Sequence, residues 1–425
     1  MRCTLVSIGS RGDVVPFVGL GQELASRGNR VRVVVLESGA PLVREAGLEA
    51  CPVPRGTEAL WPDSPGMRRL ALAQPGAMWG QMTGRVTLAA GAILDTLTDA
   101  LDDADLVVSG ILTHDATRLL AARRGTTSAG LLLGPILPSG SAASTVLAPA
   151  YLPAPVTLGV STVGWQMMRS MGAAITARAL ARVGRQAARA SRARPGPLLL
   201  ATEPVLCTPD PSWAHGVGAL EVHQTGRIAP RLDSTVPTWL DQWLEAHPGA
   251  VLMGFGTCPV ADERADLHLF EVAARRLGRP LLVQTSLLPT GPAGSTVANA
   301  PGVDHRLLLA RLAAVVHHGG AGTTATALSS GRPQVVIPHL GDQAWHARRV
   351  RELGAGTSPG PRWRLREDAL VWALQGALAT PTVRRAAQVA QMASSPEDDG
   401  ARRAADHLVG TPAHPSSSCT RCAAA

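Results

Sequence analysis

Residues 312–343, LAAVVHHGGAGTTATALSSGRPQVVIPHLGDQ, hold the densest run of residue types suited to an anion. An apolar strand over Leu312–Val316 runs into His317, His318, Gly319, Gly320, Ala321 and Gly322, and a helix is expected to open at Thr323. Three glycines let the backbone approach a phosphate closely, and the N–H groups and dipole of a helix start favour negative charge. His317, His318, Thr323 and Thr324 add side-chain donors at the same spot. His339 and His346 lie nearby, but no carboxylate accompanies the four histidines at ligand spacing, so anion binding is expected and a metal is not.

A second strand–loop–helix lies near the start. Cys3–Gly9 reads as a buried parallel strand, followed by Ser10-Arg11-Gly12-Asp13 and a helix to about Arg27, with Pro16 in its first turn and Gly28 at its end. Val31–Leu36 is the next strand. Such a βαβ opening implies a parallel sheet with a crevice at the carboxyl ends of its strands, where the Ser10–Asp13 loop would lie. On local grounds Asp13 is a helix N-cap, worth ~1 kcal/mol. A nicotinamide site would need Gly-x-Gly-x-x-Gly here, and Gly9-Ser10-Arg11-Gly12-Asp13 does not supply it.

Between these two loops the chain reads as repeated α/β units. A helix over Thr83–Leu101 presents Val86, Ala90, Ile93, Leu97 and Leu101 on one face, and a strand follows at Leu106–Ser109. His114 and Asp115 then read as helix-start caps, with acceptor contact as the sharper alternative. After a strand at Leu131–Gly134, the Ser/Ala/Pro-rich loop Pro135–Pro155 is longer than a connector requires. A helix over Ser161–Arg194 carries Trp165, Met168, Met171 and Ile175 at helical spacing and seven arginines toward its end. That pattern is a solvated face with cations at the helix C-terminus, or else a segment for a membrane surface.

Strands at Leu198–Leu200 and Val205–Thr208 lead to a domain boundary between 209 and 235. Trp239 and Trp243 are packing residues, and Ala250–Phe255 is a strand ending in Gly256-Thr257. Helix Leu267–Leu277, strand Pro280–Gln284 and a loop through Gly302 precede Val303-Asp304-His305-Arg306 and the phosphate strand. The expected domains are 1–215 and 216–392, with a helix in 393–410 and a disordered tail over 411–425.

At 425 residues the chain exceeds one ordinary core, which also argues for two domains. Of thirteen aromatic residues nine are Trp, so the cores must rest on Ala, Val and Leu. The net charge of +8 is uneven: residues 1–200 carry 20 arginines against 13 acids, and residues 201–425 carry 20 against 19. A basic half can meet nucleic acid, lipid or an acidic partner, but no nucleic-acid motif or stacking surface accompanies it. The six cysteines show no disulfide framework, and Cys419-x-x-Cys422 has no second ligand pair. With no signal-peptide pattern and no apolar run of ~18 residues, a cytoplasmic location is expected.

The run HHGGAGTT with GDQ at Gly341-Asp342-Gln343, and GSRGDVVPF over 9–17, closely resemble two loops of the inverting nucleotide-sugar glycosyltransferases of family 1. Within that family the chain is most similar to bacterial natural-product and antibiotic enzymes and to the related sterol glucosyltransferases. The resemblance implies an α/β, GT-B fold: two Rossmann-like domains whose parallel sheets face a central cleft. It implies Asp13 as general base, with Ser10 orienting it or the acceptor. It gives His318, Gly320, Gly322, Thr323, Thr324 and the Thr257 hydroxyl to the donor diphosphate, Asp342 and Gln343 to the sugar, and Val303 to the nucleobase region. It further implies inversion without a metal or resident cofactor, the nucleotide-sugar being a co-substrate and a hydrophobic small molecule the acceptor. By the same likeness the last helix crosses back to the first domain. A sterol or lipid acceptor at a membrane, reached through the basic half, is the alternative reading, and a non-catalytic helper with the same fold is the alternative of another class. Residues 52–200 carry no motif that identifies an acceptor.

Overall fold

The computed structural model describes residues 1–54, 75–140, 152–193, 196–208, 210, 221–232, 235–256, 258, 262–339, 341–393 and 400–410. The opening unit is β1 (Arg2–Ser7), α1 (Arg11–Ser26) and β2 (Arg30–Leu36). Then follow α2 (Ala40–Glu45), β3 (Glu49–Val53), α3 (Pro75–Ala100), β4 (Leu106–Ser109), α4 (His114–Arg124), β5 (Thr127–Leu132), α5 (Ala154–Ser170), α6 (Ala173–Ala193), β6 (Leu198–Leu200) and β7 (Val222–Gln224). Their seven strands form one parallel sheet in the order β3-β2-β1-β4-β5-β6-β7. The order reverses between β1 and β4, and a doubly wound sheet opens its crevice at that point.

The second sheet begins after α7 (Thr238–Ala246), with β8 (Val251–Met253), α8 (Glu263–Arg276), β9 (Leu281–Val283), β10 (Gly291–Pro292), β11 (Val297–Asn299), α9 (His305–Leu308) and β12 (Ala314–His317). It continues through α10 (Ala321–Ser329), β13 (Gln334–Val336), α11 (Gln343–Glu352), β14 (Gly356–Thr357), α12 (Glu367–Leu378) and α13 (Thr380–Met392), and α14 (Gly400–Val409) follows. The order is β10-β11-β9-β8-β12-β13-β14, parallel throughout except for β10. Here the reversal falls between β8 and β12, so the loops after those strands share the second crevice.

Several boundaries differ from expectation. Val205–Thr208 is a turn and not a strand, whereas β7 extends the first sheet past residue 215, so the chain passes to the second sheet after Gln224. The loop after β9 contains the β10–β11 hairpin. Pro16 lies in the second turn of α1, because the helix starts at Arg11. The long helix expected over 161–194 divides into α5 and α6, where a Cβ on Gly172 would lie 2.1 Å from the Leu112 carbonyl oxygen. Only glycine permits so close an approach of that turn to the loop after β4.

Each sheet carries helices on both faces. One face of the first sheet packs Val14, Phe17, Leu20 and Leu24 of α1 with Ala401, Ala404 and Ala405 of α14. The other packs Ile93, Leu94 and Leu97 of α3 with Ala116 and Leu120 of α4 and Ile175 of α6. Arg27, the residue that caps the end of α1, pairs with Asp406 of α14 at 2.8 Å and donates to the Gly410 carbonyl, which fastens the last helix to the first domain. Among the described residues no helix is long and apolar enough to cross a membrane.

Candidate active site

Ser10 holds the N-cap position of α1, and Asp13, on which the sequence placed the cap, is the third helical residue. Its Oδ2 accepts both the Ser10 backbone N–H at 2.7 Å and the Ser10 hydroxyl at 2.8 Å. The Ser7 hydroxyl holds the Asp13 carbonyl at 2.9 Å. Gly9 makes room for this arrangement, since a Cβ there would sit 2.4 Å from Asp13 Oδ2. Burial raises the Asp13 pKa, the two Ser10 hydrogen bonds oppose the rise, and the charge of Asp342 adds to it. The two carboxylates, one from each domain, thus lie near enough for the charge of one to act on the other.

The phosphate turn opens its helix earlier than the sequence suggested. Gly320 is the N-cap and α10 starts at Ala321, which puts Gly322 and Thr323 in the first turn with their N–H groups toward the crevice. Gly319 has φ +93°, and a Cβ there would meet Val336 Cγ1 at 2.8 Å. The two histidines divide their tasks. His317 ends β12, and its Nδ1 accepts the Gly319 N–H at 3.0 Å, so its Nε2–H donates to Gln334 Oε1 at 2.8 Å. It braces the turn from inside and supplies no donor to the crevice. His318 instead lies against the helix start, where a Cβ on Gly320 would be 2.5 Å from its Nε2. Burial first, and the neighbouring histidines second, hold its pKa at about 3, so it is a neutral donor or acceptor. The Thr324 hydroxyl turns back to the Gly320 carbonyl at 2.9 Å and is not aimed at a ligand. Thr257 lies outside the described residues; Gly256 before it is 3.9 Å from His318 when extended by a Cβ.

Asp342 is the residue before α11, yet its side chain makes no capping bond; it is partly exposed, with Oδ2 3.9 Å from His346 Nδ1. Gln343 is buried: Oε1 accepts the His339 N–H at 2.8 Å and Nε2 points to Cys258 Sγ at 3.7 Å. That thiol is pushed up to about 12 by burial and is a neutral neighbour. His339 donates from Nδ1 to the Ile337 carbonyl at 2.9 Å and packs edge-on against Phe255. His346 is buried, which lowers its pKa, while the Asp342 carboxylate and the Gly319 backbone oppose that shift. Behind the loop Arg362 pairs with buried Asp266 of α8 while its backbone N–H holds the Pro338 carbonyl at 2.9 Å. Neither Gly9 nor this pair was read from the sequence; a glycine four residues before an acid was the only signal for the first.

Val303 is half-buried, and its carbonyl accepts from Gln284 Nε2 at 3.3 Å, with Gln284 Oε1 on His305 Nε2 at 2.8 Å. In the first domain the cap expected at His114 or Asp115 belongs to Thr113. His114 is buried against Ser109 Oγ at 3.2 Å with a pKa near about 4, and Asp115 binds Arg169 at 2.8 Å. Among the described residues no group of three or more His, Cys, Asp or Glu side chains could hold a metal ion. Cys419 and Cys422 lie outside them.

Residues 3–116 match the glycosyltransferase family 28 N-terminal domain, and residues 292–402 match the erythromycin biosynthesis protein CIII-like C-terminal domain. The O-mycaminosyltylonolide 6-deoxyallosyltransferase of Streptomyces fradiae is 30% identical over 408 residues, 90% of this chain and 91% of that one. The vancomycin aglycone glucosyltransferase of Amycolatopsis orientalis is 29% identical over 434 residues, 96% of this chain and 97% of that one. A glycosyltransferase of Streptomyces sp. SF2575, solved with thymidine diphosphate, superposes with a TM-score of 0.61 at 23% identity, covering 96% of this chain and 99% of that one.

Proposed function

Because this chain belongs to the natural-product glycosyltransferases of family 1, with the GT-B fold, we propose that it moves a sugar from a UDP- or dTDP-sugar to a hydroxyl of a hydrophobic natural product. The observation that carries the reading is the raised-pKa carboxylate of Asp13, set across the cleft from Asp342 and the start of α10. In the reaction the acceptor oxygen bonds to the sugar's C1 as Asp13 takes its proton. The bond from C1 to the diphosphate breaks, and its electron pair leaves with the phosphate oxygen. A single displacement of this kind inverts C1.

A carboxylate is too weak to ionise an alcohol beforehand, so proton transfer accompanies bond formation and contributes roughly 10²–10⁴-fold. The backbone N–H groups of Gly322 and Thr323, with His318 beside them, meet charge that develops on the leaving diphosphate without reorganising. These donors support a reaction without a metal or resident cofactor. The open Asp342 carboxylate suits the sugar hydroxyls, and Gln343 holds the loop that presents it. The dTDP alternative draws on the Streptomyces structure with thymidine diphosphate, and the acceptor class on the two relatives' names.

A second reading has its own observation. Helix α5 carries no charged residue before Arg169 and exposes Val156, Leu158 and Val163, with Arg178 and Arg182 exposed on α6. That surface suits a lipid or sterol acceptor at a membrane. Flotation with anionic liposomes separates the readings, since a membrane enzyme floats and loses flotation in the Arg178→Gln, Arg182→Gln variant.

The test of the main reading is a melting panel with UDP, dTDP and GDP and their glucose forms. A ligand at a hundredfold its Kd stabilises by about 2.7 kcal/mol. No shift with any nucleotide overturns the reading. Slow hydrolysis of the stabilising sugar nucleotide by the isolated protein, undiminished by EDTA, supports catalysis without a helper or a metal.

A further inference from the structure

Two arginines of the second domain reach out of it to main-chain carbonyls on the other side. Arg349 of α11 donates from Nε to the Leu206 carbonyl at 2.8 Å. Arg306 of α9 donates to the Pro230 carbonyl. Each starts from an element that begins in the donor site. Helix α11 follows Asp342 directly, and Arg306 lies three residues after Val303, gripped by Asp304 at 2.9 and 3.1 Å through Nε.

Each also ends on the framework of the first domain. Leu206 sits in the turn after β6 and shares a buried cluster with Ile136 and Trp165 of the first domain and with Trp345, Leu328 and Val389 of the second. Pro230 belongs to the connecting segment laid over α1, so close that a Cβ on Gly19 would be 2.7 Å from the Ala229 carbonyl. That segment is fixed to α1 by a double hydrogen bond between Gln22 and Arg231, at 2.7 and 2.8 Å, and by the Glu23–Arg231 pair at 2.9 Å. Helix α1 is the helix that carries Asp13.

We propose that Arg306 and Arg349 are positioning residues that set the donor site in register with Asp13, one tether on each side of the cleft. The idea rests on the sugar-transfer reading for its catalytic consequence but not for its structural one. Because reacting groups misplaced by about an ångström lose roughly a hundredfold in rate, loosening either tether acts on turnover more than on nucleotide affinity.

The test uses the full chain carrying Arg306→Gln, Arg349→Gln or both, with Arg349→Lys as the conservative variant. Amide exchange is followed in the 203–208 turn and in α1, with and without the nucleotide from the melting panel. In the wild type, nucleotide slows exchange in both first-domain segments. The double variant keeps a nucleotide Kd within about threefold yet loses that protection, its transfer kcat falls at least tenfold, and Arg349→Lys recovers part of both. Unchanged nucleotide-dependent protection in the double variant, or an unchanged kcat, overturns the proposal. If the wild type binds nucleotide but transfers no sugar, the sugar-transfer reading fails alone, and exchange still decides whether the tethers couple the domains. Should a Gln variant lose nucleotide binding outright, the arginine belongs to the donor site itself and the positioning role is refuted.

Discussion

Asp13, the proposed base, is a carboxylate whose ionisation is disfavoured by burial and eased by Ser10. Replacing it with Asn keeps the acceptor for the Ser10 N–H and removes the proton acceptor. Asp13→Asn should retain the nucleotide-induced melting shift and lose roughly 10²–10⁴ in transfer rate; turnover like the wild type's would remove Asp13 from the mechanism. The same variant carries a stability signature. A carboxyl whose folded pKa lies above its unfolded value stabilises only in acid, and that contribution is lost as pH rises through the folded value. Asp13→Asn should therefore melt higher than the wild type at neutral pH, with the gain disappearing toward pH 3–4, near the ordinary carboxyl range. Ser10→Ala takes away one of the two bonds that favour the charged form, so the acid limb of the pH–rate profile should move upward; a limb that stays or falls contradicts the role given to the hydroxyl. Gly9→Ala tests position alone, because the new Cβ would sit 2.4 Å from Oδ2 and push the carboxylate aside, and transfer should drop roughly a hundredfold while nucleotide still binds.

The strand–turn–helix of β12 and α10, to which the proposed function gives the diphosphate, offers a sharper contrast between neighbouring glycines. Gly319→Ala puts a Cβ against Val336 at φ +93° and should cost about 1–3 kcal/mol of stability before any ligand is considered. Gly322 is exposed in the first helical turn with nothing within 4 Å of its Cβ position, so Ala there should raise the melting point of the free protein slightly. If the diphosphate lies over this turn, the same Cβ intrudes on it and the nucleotide-induced shift shrinks; an undiminished shift moves the phosphate elsewhere. This element was legible in the sequence because five apolar residues, three glycines and a polar helix start leave little else to build. Its side-chain roles were not. Ending the strand at His317 and not Val316 turns that side chain onto Gln334, and opening the helix two residues early folds Thr324 back onto Gly320. Boundary shifts of one or two residues change what a side chain faces. The two- and three-residue strands β7, β10 and β14 were illegible for a plainer reason, since segments so short carry no period.

For the whole molecule the two parallel-sheet domains followed from length and from the repeated α/β units, whereas the tethers between them end on carbonyl oxygens, which every residue has and no sequence marks. A different consequence of the fold is written in its histidines. His317 and His318 are held near pKa 3, and His114 and His339 near 4, each mainly because burial disfavours the imidazolium. Unfolded, the same side chains take up protons near 6.5. A histidine whose folded pKa is depressed stabilises fully above the unfolded value, and the contribution is lost as pH falls below it. The protein should thus be stable at pH 7 and lose stability steadily from about 6.5 down to about 3, with protons bound on unfolding throughout that interval. Paired melts and proton-uptake calorimetry across it provide the measurement. Three of the four residues, His317, His318 and His339, lie in the second domain, so its signals should fail first in acid, reported by exchange at β12 and α10 ahead of β1 and α1. Nucleotide bound at the α10 start should shift this acid transition downward, because it binds only the folded site. A melting temperature independent of pH between 4 and 7 would mean that these imidazoles are not buried in their neutral form, and the bracing of the phosphate turn by His317 would have to be abandoned with it.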